Sequence, residues 1–304
     1  SLLSEEEIER EKGVILEEIR MYKDDPIRYV LELYINLQFG DQPLGWFVAG
    51  TEQIIKSLKR QDFVKYIDSL YSPKNMALLY VGKLPKDINN VAEKFFHDLP
   101  SHQRQQAVPY KKIKQSKPKI NIFQKKTDQA HVVLGVEGFD RDNNKRYATR
   151  LLGTILSEGM SSRLFRQVRE RRGLAYHVSA NHYCLMDTGL FVTYAGLKLE
   201  KVEEGLEVIK SELMRTVAEK VSDEELKKAK EMARGRLALR SESTNFLAEY
   251  FGVNFVIDRK IETFEEYLKN IDAVTVEDIQ KVAAELFQQK KFNLQVIGPF
   301  KDAE

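Results

Sequence analysis

The spacing of apolar residues predicts that the first third of the chain is largely helical. Apolar positions recur every three to four residues, which is the period of an amphipathic helix. Helices are predicted over residues 4–24, 26–39, 51–58, 60–71 and 86–98. Pro26 suits the first turn of the second helix, where the missing N–H has no partner to lose. The apolar run MALLYVG at 76–82 is instead typical of a strand.

In the rest of the chain, short apolar runs alternate with longer amphipathic segments. Strands are predicted over residues 121–126, 130–138, 175–184, 189–197 and 292–298. Helices are predicted over residues 142–157, 161–172, 200–219, 222–240, 243–255, 263–270 and 275–288. This order favours the α+β class, in which an antiparallel sheet packs against helices on one face.

The two halves of the chain resemble one another in sequence. Residues 62–82 align without a gap with residues 278–298, at an offset of 216. The identical pairs are Asp62/Asp278, Lys65/Lys281, Leu70/Leu286, Lys74/Lys290, Leu78/Leu294 and Gly82/Gly298. Further upstream, SEEEIEREK at 4–12 aligns with SDEELKKAK at 222–230 at an offset of 218. Two matches in the same order predict a duplicated domain, with chance similarity between amphipathic helices as the alternative.

The duplication predicts that the first domain is represented only by its second half. About a hundred residues, 119–221, precede the SDEEL helix, whereas three residues precede the SEEEI helix. The absent part would hold two strand pairs and two helices. We therefore expect two homologous α+β domains: residues 1–100 as the C-terminal part of the first, and residues 120–304 as the second.

Between these domains, residues 101–119 are predicted to be a linker. The segment SHQRQQAVPYKKIKQSKPK is poor in apolar residues, contains two prolines and carries only positive charges. Such a segment is either a solvated tether or a nucleic-acid contact. The lack of interleaved stacking aromatics favours the tether, so no nucleic-acid partner is expected.

The composition adds few constraints. The chain has 304 residues, 42% of them hydrophobic, and a formal net charge of +2. No apolar run reaches 18 residues, so no membrane span or membrane partner is expected. The single cysteine, Cys184, excludes an internal disulfide and a metal site built from cysteines. The sequence starts at Ser1, and any targeting segment would lie upstream of it.

The first predicted helix carries two carboxylates on its apolar stripe. Ile8, Ile15 and Ile19 define this stripe, and Glu11 and Glu18 fall within it. Charged groups on a buried face usually have a partner. The pair is either held by arginines of a neighbouring helix or part of a metal site that needs further ligands from elsewhere.

The histidines do not complete a metal site. Neither His-Glu-x-x-His nor the inverted His-x-x-Glu-His occurs in the chain. His177 and His182 share a predicted strand but are five residues apart, so they point to opposite faces. The remaining histidines are His97, His102 and His131.

A second candidate site lies in residues 151–180. Arg169 falls in the last turn of a predicted helix, and Tyr176 falls at the start of the strand that follows Gly173. A guanidinium and a phenol at one sheet edge could donate hydrogen bonds to peptide carbonyls. The alternative is an ordinary helix end with a buried tyrosine.

Together these motifs resemble one enzyme family, the insulinase/pitrilysin-type zinc metallopeptidases. EREKGVILEEI, DDP, FGDQPLG and YSPKNMALLYVG are similar to the end of the family's first domain. SSRLFRQVRERRGLAY is similar to the signature of its second domain. The chain resembles most the branch of mitochondrial processing peptidase-like and bacterial processing proteases, and the resemblance covers essentially the whole chain.

The resemblance implies roles for four residues. In this family two histidines of an inverted His-x-x-Glu-His helix and one later glutamate hold the zinc ion. The later glutamate matches Glu18, and the glutamate that supports the site matches Glu11. The glutamate of the inverted motif deprotonates the zinc-bound water. Arg169 and Tyr176 match the pair that holds the backbone of an extended substrate and stabilises the oxyanion.

The chain departs from the family pattern in two places. The inverted motif is absent, so two zinc ligands and the catalytic base are missing, and the isolated chain is expected to be inactive. A loop that is often Gly-Gly-Gly in the family is Ser157-Glu158-Gly159 here.

The expected function is zinc-dependent endopeptidase activity of the parent protein on extended or unfolded polypeptides. The alternative is a non-catalytic subunit of the same family that binds substrate or serves as a scaffold. A homodimer or a heterodimer with a related subunit is expected, as is a bacterial cytoplasmic location.

Overall fold

The computed structural model describes residues 3–101, 103, 105 and 107–301. Its helices are α1 (Glu5–Asp24), α2 (Pro26–Phe39), α3 (Glu52–Ser57), α4 (Arg60–Leu70), α5 (Ile88–Phe96), α6 (Lys145–Ser157), α7 (Val202–Ala218), α8 (Asp223–Ser241), α9 (Thr244–Asp258), α10 (Phe264–Ala273) and α11 (Val276–Leu286). Its strands are β1 (Lys119–Gln124), β2 (Ala130–Gly138), β3 (Ala175–Cys184), β4 (Gly189–Leu197) and β5 (Asn293–Gly298). None of these helices combines the length and apolar composition that a bilayer crossing requires.

The five strands form one sheet in the order β1-β5-β2-β4-β3. β2 pairs antiparallel with β4 over its whole length and antiparallel with β5 on its other side. β1 pairs with β5 in parallel, from Lys119–Asn293 to Gln124–Gly298. The α+β class is confirmed, but the predicted antiparallel sheet contains one parallel pair because β5 inserts between β1 and β2.

Helices cover both faces of this sheet. Phe191 of β4 meets Phe287, which follows α11, on one face, where α6 and α7 also pack. The next residue, Val192, points to the opposite face and joins a buried cluster with Val30 and Tyr34 of α2. The expectation of helices on one face was therefore wrong, because α2 covers the second face.

The predicted duplication reappears in the order of the elements. α4 and α11 match end to end at an offset of 216, and the short 3₁₀ turns Pro73–Asn75 and Gln289–Lys291 match at the same offset. α1 and α8, like α2 and α9, begin at an offset of 218. The order and spacing of these elements agree with the predicted duplication, which stays a prediction.

The predicted strand at 76–82 is absent from the structure. These residues run without regular secondary structure, and no strand of the described residues lies beside them. Their counterpart in the repeat is β5, which is held between β1 and β2. The apolar pattern predicted the strand, but a strand forms only where a partner supplies the ladder hydrogen bonds.

The chain divides into two compact units. Unit 1 holds residues 1–19, 49–108 and 234–267, and unit 2 holds residues 20–48, 109–233 and 268–304. The predicted domains, residues 1–100 and 120–304, are continuous stretches of the chain, whereas each unit combines three separate stretches. The two domains stay a prediction. The second part of the predicted linker belongs to unit 2 and contacts the rest of that unit. The backbone N–H of Tyr110 donates to the Asp187 carboxylate at 2.6 Å.

Candidate functional site

Arg169 lies in a π-helical turn, Phe165–Glu170, within the region where a plain helix was predicted. Val168 of this turn is buried. Gly173 follows this turn; its φ of 59° is left-handed, and its N–H donates to Arg169 O. Single π turns inside helices occur often at functional sites.

Tyr176 lies at the start of β3, next to a break in the strand register. The pairing of β3 with β4 shifts between Ala175 and Val178, so Tyr176 lies in a bulge. Its side chain is 73% exposed. The alternative of a buried structural tyrosine is therefore wrong.

The structure brings Arg169 and Tyr176 together. The guanidinium carbon of Arg169 lies 4.6 Å from the centre of the Tyr176 ring and 4.9 Å from the centre of the Phe165 ring. Both distances are within the range of cation–π attraction. Phe165 was missed in the sequence, although its position four residues before Arg169 on a helix was a usable signal.

A cleft of about 210 Å³ opens beside this stacked group. It is lined by Ser157, Gly159, Met160, Phe165, Arg169, Tyr176, His177 and Val178. The side chains of Arg169 and Tyr176 form no hydrogen bond with any described residue, so their donors remain available at the cleft. Polar donors beside apolar side chains are the usual composition of a ligand-binding cleft.

The loop Ser157-Glu158-Gly159 is built into the fold. The Ser157 hydroxyl accepts from Ala180 N at 2.7 Å and donates to Ala180 O at 3.2 Å, which joins the end of α6 to β3. The Glu158 carboxylate forms an ion pair with the Arg150 guanidinium of α6, with Oε1 and Nη2 3.0 Å apart. Gly159 adopts a φ of 83°, which favours glycine. Glu158 therefore does not line the cleft, although it replaces a smaller residue of the family pattern.

β3 is an edge strand of the sheet. It pairs with β4 on one side, and no described strand lies on its other side. An exposed strand edge carries free backbone donors and acceptors that can pair with an extended peptide. The stacked Arg169 group lies at one end of this edge, where β3 begins.

An ion pair fixes the helical segment that leads to Arg169. The Arg163 guanidinium donates two hydrogen bonds to the Glu225 carboxylate of α8, at 2.7 and 2.8 Å. Hydrogen bonding from Arg163 lowers the pKa of Glu225 to about 2. Arg163 is nearly buried, so this bidentate pair anchors the start of the segment.

Glu11 and Glu18 lie on α1 in unit 1, and both are exposed. The buried side of α1 consists of Ile8, Lys12 and Ile19. The expectation that the two glutamates share the buried face was therefore wrong, since Lys12 takes the inward position and its ammonium pairs with Glu9 at 2.6 Å. Neither Glu11 nor Glu18 pairs with a described residue, so the alternative of arginine partners is not observed.

The described residues do not form a zinc site by themselves. No group of three or more His, Cys, Asp or Glu side chains is arranged around a common point within them. Zinc needs three or four protein ligands, and Glu18 would supply one. The ring of His131 contacts the Tyr194 hydroxyl, and the ring of His182 contacts the backbone of Phe139. His102 lies outside the described residues.

Comparison with known proteins identifies the family. The family model described as the peptidase M16 inactive domain matches residues 57–233. An uncharacterized zinc protease of Streptomyces coelicolor is 32% identical over 100% of this chain and 67% of its own. The uncharacterized zinc protease YmxG of Bacillus subtilis is 30% identical over 98% of this chain and 72% of its own. This chain belongs to the M16 peptidase family, which confirms the resemblance to insulinase-type peptidases.

Solved structures confirm the fold. A protease from Helicobacter pylori superposes with a TM-score of 0.89 at 23% identity, over 97% of this chain and 72% of that chain. A peptidase M16 inactive domain from Pseudomonas fluorescens superposes with a TM-score of 0.88 at 20% identity, over 99% of this chain and 72% of that chain.

Proposed function

We propose that this chain binds the backbone of extended polypeptides as the substrate-binding part of a zinc-dependent endopeptidase. The observation that supports the proposal is the contact of the Arg169 guanidinium with two aromatic rings at the start of the edge strand β3. The relatives named zinc proteases support the class of reaction.

Each group has a defined task in this proposal. The guanidinium of Arg169 lies over the rings of Phe165 and Tyr176, and its N–H groups can donate to a peptide carbonyl. The Tyr176 hydroxyl is a second donor. The free edge of β3 supplies main-chain pairing, so binding depends little on the side chains of the peptide.

For zinc, we propose two roles in this chain: Glu18 is one ligand, and Glu11 is the carboxylate that supports it. The described residues contain no group of three or more possible ligands, so no hydrolytic step is assigned to this chain. A pair of related subunits, identical or different, is proposed as the working form.

Replacing Arg169 tests the proposal. Arg169→Lys keeps the charge but removes the planar group, so we expect about tenfold weaker binding of a fluorescein-labelled unstructured peptide, measured by anisotropy. Arg171→Lys, at an exposed position two residues further on, is the control and should leave affinity unchanged. Equal affinities for both variants and the unaltered chain would refute the role of Arg169.

A second candidate is a non-catalytic subunit that binds polypeptides without cleaving them. The matching family model is itself described as an inactive domain, which favours this function. Under both candidates we expect residues 1–304 alone to show no peptidase activity that a chelator abolishes. A quenched fluorogenic peptide measures this with and without EDTA, and chelator-sensitive cleavage would contradict both the inactivity and the incomplete zinc site.

A further inference from the structure

The sheet of unit 2 has a second open edge, formed by β1. β1 pairs in parallel with β5 from Lys119 to Gln124 without a shift in register. No strand of the described residues lies on its other side. β1 is therefore at the opposite edge of the sheet from β3, where the Arg169 cleft lies.

The backbone groups that face this open edge can be identified. Lys125 N donates to Gly298 O at 2.9 Å, and Lys119 N donates to the side chain of Asn293 at 2.8 Å, so both N–H groups point toward β5. In a strand the N–H and C=O groups of successive residues point alternately to its two sides. The residues whose backbone groups point away from β5 are Ile120, Ile122 and Gln124. We call their N–H groups the outward amides, and they can pair with an added strand.

Lysines lie before, within and after this strand. Residues 111–126, which we call the basic edge, contain no aspartate and no glutamate. Their lysines are Lys111, Lys112, Lys114, Lys117, Lys119, Lys125 and Lys126. The formal net charge of the whole chain is only +2, so positive charge is concentrated here.

Most of these lysines have no acidic partner. Lys112 lies 3.8 Å from Glu137, and Lys125 lies 3.2 Å from Asp24. The lysines that are exposed and form no side-chain hydrogen bond or ion pair with any described residue are Lys111, Lys114, Lys117 and Lys126. Their ammonium groups are available to carboxylates of a partner.

Two further lysines lie beside the start of the strand. Lys290 and Lys291 come just before β5, and the Gln115 amide donates to Lys290 O at 2.9 Å. Burial lowers the pKa of Lys291, and the charges of Lys112 and Lys290 act in the same direction. Positive groups from two distant stretches of the chain thus gather at one end of β1.

We propose that the basic edge is a docking surface for an extended acidic segment of a polypeptide, which adds a strand beside β1. The outward backbone groups of β1 supply the ladder hydrogen bonds, and the lysines pair with the carboxylates of the segment. The surface is separate from the β3 edge, so this inference does not rest on the proposed function.

The combination of charge and an open strand favours a polypeptide over other anionic partners. A nucleic acid or an anionic membrane would use the lysines but not the ladder geometry of the backbone. A second copy of this chain would place lysines beside lysines, which repel one another. Ile120 is 67% exposed on the strand, so the segment can alternate acidic and apolar or neutral side chains.

Peptides of defined charge test the docking surface. The probe is a fluorescein-labelled peptide in which glutamate alternates with threonine, and its control has lysine in place of every glutamate. We expect the full chain to bind the acidic peptide about tenfold more tightly or better, measured by anisotropy at low salt. The acidic peptide N-methylated at every residue keeps its charge but loses its backbone donors, so it should bind about tenfold more weakly than the probe.

Hydrogen exchange resolved by NMR locates the contact. At saturating acidic peptide we expect the outward amides to exchange about tenfold more slowly, because new ladder bonds protect them. The amides of Asn121 and Phe123 should keep their rates, since they already face β5. The same alternation is expected in Arg169→Lys, so a loss of binding at the β3 edge is not mistaken for a failure at β1.

A matched pair of variants tests the backbone contact. Ile120→Pro removes one outward N–H, and proline is tolerated on an edge strand where the N–H does not face the neighbouring strand. We expect it to weaken binding of the acidic peptide about fivefold. Ile120→Ala keeps the N–H and should weaken it much less.

A second pair tests the charge. Lys114→Glu combined with Lys117→Glu should weaken binding of the acidic peptide about tenfold or more. The control combines Lys210→Glu and Lys227→Glu, which make the same change in net charge at exposed positions on α7 and α8. All variants are first checked for an unchanged thermal midpoint, and these exposed positions keep the test valid if Ile120→Pro destabilises the fold.

Three results would overturn the inference. The first is equal affinity for the acidic and the basic peptide. The second is unchanged exchange of the outward amides at saturating acidic peptide. The third is tighter binding of phosphatidylserine vesicles or of single-stranded RNA than of the acidic peptide, which would make the basic edge a surface for other polyanions.

Discussion

At the scale of single residues, the site depends on how one guanidinium is held. Arg169 is long and flexible, and fixing it for binding costs side-chain entropy. Phe165 and Tyr176 reduce that cost through their cation–π contacts with the guanidinium. The sequence could suggest Arg169 and Tyr176 from their places at a helix end and a strand start and from the family resemblance, whereas Phe165 was missed although it stands four residues before Arg169.

Substitution of Phe165 tests this holding role. Phe165→Leu keeps an apolar side chain but removes one aromatic face, which costs about 0.5–1 kcal/mol of cation–π energy. We expect peptide affinity to fall about two- to fivefold by anisotropy. Phe165→Tyr should restore binding because it restores the aromatic face. Failure of the tyrosine variant to restore it would show that Phe165 acts through packing alone.

The buried His182 makes the free energy of unfolding depend on pH. Burial lowers the pKa of His182 to about 4, and the charge of Arg150 acts in the same direction. The unfolded chain, with an ordinary pKa near 6.5, then binds the proton more readily than the folded chain. His182 therefore contributes stability that is complete above pH 6.5 and is lost as the pH falls toward 4.

Urea unfolding at several pH values between 7.5 and 5 measures this effect. The free energy of unfolding should fall by about 1 kcal/mol per pH unit near pH 5.5 through this one group. His182→Gln removes the titration and should flatten the slope, whatever its effect on stability at pH 7.5. Parallel curves for the variant and the unaltered chain would contradict the assignment.

At the scale of elements, the predictions that depend on the local pattern of apolar residues succeeded, whereas those that depend on neighbouring elements failed. The predictions for α2, β2, β3 and β4 match the observed bounds, because the periodicity of apolar positions is a local property. The strand predicted at 76–82 failed because its formation depends on neighbours that the pattern does not describe. The exposure of Glu11 and Glu18 on α1 was also missed, since Lys12 takes an inward position through its long apolar stem and its pairing with Glu9.

The packing of α2 could not be predicted from periodicity either. Tyr34 lies directly over Gly135 of β2, where a Cβ atom would come within 2.6 Å of the tyrosine hydroxyl. Gln38 accepts from Asn293 Nδ2 of β5 at 2.9 Å, in the buried interior. These contacts join residues more than a hundred positions apart, and only the three-dimensional fold shows that a glycine is needed at this position.

At the scale of the whole molecule, the units do not follow the order of the chain. α2, near the start of the chain, packs on β2 and β5 of unit 2, while α9, more than two hundred residues later, packs on Leu79 of unit 1. A boundary drawn along the chain, such as the predicted second domain 120–304, therefore separates the sheet from a helix that covers it.

The contribution of α2 is large enough to decide whether unit 2 folds. α2 buries Tyr29, Val30, Tyr34 and Phe39 against the sheet. Each such side chain contributes roughly 1.5–3 kcal/mol, so the helix supplies about 6–12 kcal/mol as an upper estimate. A whole domain is typically stable by about 5–15 kcal/mol. Removing α2 should thus remove most or all of the net stability of unit 2.

We therefore expect residues 109–304 alone to lack cooperative thermal unfolding and to expose the β2–β4 face, measured by calorimetry and by hydrogen exchange in residues 131–135. A synthetic peptide of residues 25–48, added in trans, should restore protection there because it returns the buried cluster. The same peptide with Tyr34→Glu is the control and should restore none, since it places a carboxylate over Gly135. If residues 109–304 unfold cooperatively at the same temperature as the full chain, α2 is dispensable and the boundary at residue 120 marks an autonomous domain.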